Sequence, residues 1–179
     1  MGEHVDRARL ETDIRYRFDY LAKFLNFTSN DILILNSLEP ILFPTIPSLI
    51  EMIDKKIQSF ASNGELSMED NNNFLVFIDA YLKRILSQSN WNDTFLQYLS
   101  EVGRWSINRN ELPSFRMDYA RINMILGYLG YLMINAIWTS EQLETRMKYS
   151  AIKAMNKFLW IQNNFITMHH ERCLKREHD

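Results

Sequence analysis

The segment INMILGYLGYLMINAIW, Ile122 to Trp138, is apolar nearly all the way round a helix. A helix without a polar face is buried on two sides or lies in lipid. At 17 residues it falls short of the roughly 20 that span a bilayer. It contains Asn123 and Asn135, and no Lys or Arg follows until Arg146, so the basic flank of a membrane helix is missing. The expectation is a doubly buried core helix with a subunit interface on one side and no membrane role. Gly127 and Gly130 would let another backbone approach there, as they equally would in a crowded core.

The other segments repeat apolar residues at steps of three and four, the period of one helix face. Leu10, Ile14, Phe18, Leu21 and Leu25 predict a first helix, and Thr28 with Asp31 predicts a capping box opening a short one through Ile32, Leu35 and Leu38. Pro40, Pro44 and Pro47 then break the chain, and a new helix from Pro47 carries Leu49, Ile53, Ile57 and Phe60. Ala61 to Asn73 is polar without a period and reads as a loop. Phe74 to Ile85 and Trp91 to Val102 give two more helix faces; Pro113 suits the start of the apolar helix, and Thr139 with Gln142 is a candidate cap for a last helix through Met168. With five glycines, four prolines and no alternating strand pattern, the fold class is all-α, and residues 1–179 form a single domain.

Twenty basic against 22 acidic residues leave a formal charge of −2, which offers nucleic acid no footprint. The single cysteine, Cys173, permits no disulfide framework, and the charged N-terminus MGEHVDRARLETDIRYRF has no apolar signal core, so a reducing, cytoplasmic setting is expected. No phosphate loop, dinucleotide turn, HExxH pair or nucleophile elbow occurs, which points away from an enzyme. His169, His170, Glu171 and Cys173 crowd one helix end, but the i, i+4 pair His169/Cys173 gives only two ligands, so a solvated helix end is expected rather than a metal site. Two polar residues interrupt apolar helices: Asp54, which either faces water beside Lys55 or is buried, and Arg121, either an anchor for an acidic ligand head or half of a surface or interface ion pair.

Several phrases, taken in order, resemble one family. RLETDIRYRFDYLAKFLNFTSNDI (Arg9 to Ile32), LFPTIPSLIEMIDKKI, YLSEVG ending at Gly103, and MNKFLWIQNNFITMHHE (Met155 to Glu171) are similar to protoglobin-type globin-sensor domains over residues 5 to about 172. The resemblance implies a globin-like fold with an extra N-terminal helix, a haem pocket, and dimerisation through the last two helices. In that family the helix ending in Val-Gly goes on to supply the histidine that binds haem iron, and the position corresponds here to Ser106. A serine hydroxyl is a poor iron ligand at neutral pH. The family's distal tyrosine, on the helix after the prolines, corresponds to Asp54, a carboxylate without a neutral phenol's donor.

The expected function is thus a non-enzymatic globin-like module without haem, which holds an apolar or amphipathic ligand or signals through dimerisation and a separate partner. The alternative is a haem-binding oxygen sensor with an unusual ligand such as Met117. Candidate pocket-lining residues are Ile53, Ile57, Phe77, Tyr81, Trp105 and Ile122; Arg104 and Arg121 are candidate anion anchors. Whether aromatic side chains fill the pocket or leave it open stays undecided at this level.

Overall fold

The computed structural model describes residues 5–60, 68–105 and 119–178. Among them every regular element is helical. A short α1 (Arg7–Thr12) leads into α2 (Ile14–Leu25), α3 (Ser29–Ser37) and α4 (Glu39–Leu42), and a 3-10 turn (Phe43–Thr45) joins these to α5 (Ile46–Phe60). There follow α6 (Met68–Ser87), α7 (Asp93–Trp105), α8 (Tyr119–Thr139) and the long α9 (Thr145–His178).

The first helix is divided where the periodicity predicts continuity. Asp13 takes extended backbone angles, and its carboxylate accepts the Tyr16 backbone N–H at 2.9 Å, so it caps α2 while ending α1. The capping box at α3 is present: Asp31 accepts the Thr28 backbone N–H at 2.7 Å. The prolines do not break the chain as expected. Each falls in the first turn of a helical element, Pro40 and Pro44 in short pieces and Pro47 in α5, where a missing N–H leaves no bond unmade, so the path from 29 to 60 stays nearly helical. Met68 to Asn73, expected in a loop, are the opening turns of α6. Thr139 is not a cap for the last helix; it ends α8 with its hydroxyl bonded back to the Asn135 carbonyl, and α9 begins at Thr145.

The hub of the molecule is α9, which packs against α2, α3, α7 and α8 and buries Met155, Phe158, Ile161 and Phe165 completely. Its crossing with α7 is backbone on backbone: a Cβ added to Gly103 would lie 2.9 Å from the Phe165 carbonyl. Only glycine allows helices to meet that closely. Under α2, Phe18, Phe27, Trp91, Phe95 and Phe158 form a cluster of tilted and edge-on rings with centroids 5.0 to 6.3 Å apart. Lys157 of α9 ties α3 down by pairing with Asp31 at 3.0 Å and bonding the Asn26 carbonyl at 2.6 Å. The one positive φ outside glycine, at Asn26 among the described residues, is the left-handed C-cap that turns the chain from α2 into α3.

Candidate functional site

The inner face of α8 forms part of a small cavity inside the bundle. Phe74, Phe77, Ile78 and Tyr81 of α6, Val102 of α7, Ile122, Ile125 and Leu129 of α8, and Gln162 and Ile166 of α9 surround it. The sequence period that put Phe77 and Tyr81 on one face of α6 is the reason they converge here, and Ile122 meets them from α8, whose all-round apolar surface singled out no face. Phe77 stacks on Tyr81 with centroids 6.4 Å apart. The Tyr81 hydroxyl donates to Gln162 Oε1 at 3.3 Å, and Gln162 Nε2 donates to the Leu99 carbonyl at 3.1 Å, so the polar atoms of this wall satisfy one another. Burial, with a smaller push from Tyr98, raises the Tyr81 phenol well above its ordinary range and keeps it neutral.

The space left is about 40 Å³, room for about one water at ~30 Å³, whereas pockets for drug-sized ligands run to roughly 300–1,000 Å³. A porphyrin does not fit this space among the described residues. Nor do the lining residues include an imidazole or thiol among the described residues, and a phenol held neutral by burial is a poor anion donor to iron.

The remaining candidates divide. Ile53 is buried in the core without lining this cavity, and Ile57 lines a different space, described below. Asp54 is half-buried and turned toward α6, where one carboxylate oxygen accepts from Gln58 at 2.8 Å and Asn71 at 2.7 Å. It bridges α5 and α6 and is absent from the cavity wall. Arg104 is engaged by Glu101 one turn earlier, at 2.7 Å. Ser106, Met117 and the Trp105 side chain lie outside the described residues.

The expected solvated helix end at His169 is corrected. His169 is 9% exposed, with its Nε2 2.9 Å from the buried Ser100 hydroxyl of α7. Burial, reinforced by Arg172, lowers its pKa to about 4. Its neighbour His170 stacks on Tyr119 with rings 4.1 Å apart. No cluster of three metal-ligating side chains occurs among the described residues.

Outside the bundle, α8 borders two grooves. Toward α5, a space of about 180 Å³ is lined by Lys56, Ile57, Phe60, Arg121, Met124, Ile125 and Tyr128. Its walls are apolar, and the Lys56 ammonium stands over the rings of Phe60 at 4.9 Å and Tyr128 at 5.6 Å. The periodicity marked Phe60 as apolar, and Lys56 four residues before it was a legible cation–aromatic spacing; Tyr128 arrives from a distant helix and was not. Toward α9, a second groove includes Asn123, Gly127, Tyr131, Trp160 and Asn163. Tyr131 and Trp160 are 60% and 55% exposed, and the Oδ1 atoms of Asn123 and Asn163 are buried without a hydrogen-bond partner. So α8 is buried on one face only, with open apolar surface where a second cover was expected.

The Protoglobin family model matches residues 14–176. Among solved structures, the globin domain of the Geobacter sulfurreducens globin-coupled sensor matches with a TM-score of 0.67 at 10% identity, over 85% of this chain and 96% of that one. At that identity the likeness speaks for the fold alone. No match is found among curated proteins.

Proposed function

Because the chain belongs to the Protoglobin family, we propose that it is a globin-fold sensor module that works without haem and without catalysis of its own. The observation that carries this reading is the interior: about 40 Å³ of space closed by Phe74, Phe77, Tyr81 and Ile122. Replacement of the family's iron-binding histidine by Ser106 supports it from the sequence side. Input then comes from a small apolar or amphipathic ligand, and output passes through association.

The associating surface is the α8–α9 groove. Tyr131 and Trp160, both more than half exposed along it, would be covered by a second copy.

The test is a visible spectrum of the protein purified from haem-supplied cells, followed by titration with hemin. Neither step gives a Soret band at stoichiometric haem if the reading holds. Tightly bound haem with an axial donor from the chain would overturn it. Sedimentation of wild type and Trp160→Glu reports the association separately: the wild type sediments as a dimer and the variant as a monomer.

A further inference from the structure

We propose that the groove between α5 and α8 binds an alkyl carboxylate, its head at Lys56 and its chain along Tyr128 and Ile125. This deepens the reading above, because it names the ligand class and the place where a haem-free module would receive it.

The charges come first. Lys55 is paired with Glu51 at 2.6 Å and Lys83 with Asp79 at 2.7 Å. Lys56, like Lys148 and Lys153, stands over aromatic rings instead, and it also lines an apolar groove. No carboxylate of the described residues pairs with it; aromatic faces hold its ammonium at the mouth of an apolar groove. Arg121 belongs to the same lining but is already engaged. A carboxylate entering there gains a charge-assisted hydrogen bond from the Lys56 ammonium while its chain covers the apolar walls.

The apolar part follows from shape. The groove's volume, about 180 Å³, exceeds the ~150 Å³ of an apolar cavity that takes up benzene. It is too short for several turns of a partner helix, which would need anchors repeated at i, i+3, i+4 and i+7 along an extended trough. Its floor is Ile57, 8% exposed, and Ile125. Ile125 also lines the interior cavity, so one side chain separates the groove from the space beside Tyr81 and Gln162.

The experiment is calorimetric titration of the full-length protein with sodium decanoate below its micellar concentration, with 1-decanol as the uncharged comparison. Decanoate binds one per chain, decanol at least about tenfold more weakly, and Lys56→Gln lowers decanoate affinity about tenfold, the scale of one lost charge-assisted hydrogen bond. Ile125→Phe, which fills the floor, abolishes binding. Circular dichroism melting of both variants confirms that they fold. Equal binding of decanol and decanoate, or decanoate affinity unchanged in both variants, overturns the site. A change of oligomeric state on Phe60→Glu would also overturn it, by showing that protein covers the groove. Haem uptake with Lys56-dependent decanoate binding intact would sink the haem-free reading and leave the site standing; absence of both haem and decanoate binding would do the reverse.

Discussion

The two faces of α8 have opposite characters. Inside, aromatic rings and one self-satisfied pair, Tyr81 with Gln162, leave about 40 Å³; outside, an apolar trough of about 180 Å³ carries Lys56 and Arg121 at its edge. Closely packed side chains that bond one another leave nothing for a guest to satisfy. A cation held over rings beside bare apolar walls leaves both a charge and a surface to be matched. On the proposed reading the capacity for ligand lies at the flank of the fold and not at its centre, and each face can be altered separately to test that division.

The largest expected effect comes from emptying the inside. Ile122, 7% exposed, borders the cavity, and Ile122→Ala removes its apolar contacts and widens the void. Denaturant melts should show a loss of about 2–4 kcal/mol. A loss below about 1 kcal/mol would mean that the interior adjusts freely, and the contrast between a full inside and an open outside would fail.

A pH titration probes the wall between α7 and α9, next to Ser100. The folded pKa of His169 is lowered to about 4 from the ~6.5 of an unfolded chain. Above pH 6.5 the imidazole is neutral in both states and adds no pH dependence. Between 6.5 and about 4 the unfolded chain takes up a proton that the folded one refuses, so stability falls as pH falls and levels off below about 4. The loss attributable to this group is about 1–3 kcal/mol, and it should be absent from the stability profile of His169→Gln. An identical acid profile in that variant would place His169 in contact with water.

A smaller effect is expected at Tyr81→Phe, which leaves Gln162 Oε1 without the hydroxyl that donates to it at 3.3 Å. The bond is long, so the expected cost is about 1 kcal/mol in a chemical melt. Decanoate binding at the outer groove should be unchanged. If affinity there shifts as much as stability does, the two spaces act as one pocket.

What could be read beforehand follows the range of the interactions. The period along α6 marked Phe77 and Tyr81 as inward, and the Thr28–Asp31 spacing marked a helix start, because both are local rules. The pairs that join distant helices left no such trace: Asp31 with Lys157, Ser100 with His169 and Asp54 with Asn71 depend on how helices are placed. Asn71 sat in a run whose polarity hid the start of α6. The apolar circumference of α8 said that both sides needed cover and could not say that the fold supplies only one. The groove combines Lys56 and Phe60 of α5 with Arg121 and Tyr128 of α8, a combination invisible until those helices meet.

The smallest effect is the one that best separates a monomer from a dimer on the second outer face. A Cβ added to Gly127 meets nothing within 4 Å, whereas one on Gly130 would run into the Leu159 side chain at 2.7 Å. In a single chain, Gly127→Ala should therefore stabilise α8 by about 0.5–1 kcal/mol, the gain of alanine over glycine in a helix interior. If a second copy lies along the α8–α9 groove, the added methyl enters the contact, and the sign depends on concentration. Melts of Gly127→Ala and wild type should then differ in opposite directions at dilute and concentrated protein, the variant ahead when chains are separate and behind when they pair. A constant gain at every concentration would mean that nothing packs against Gly127, and the dimer surface would have to be sought elsewhere on the molecule.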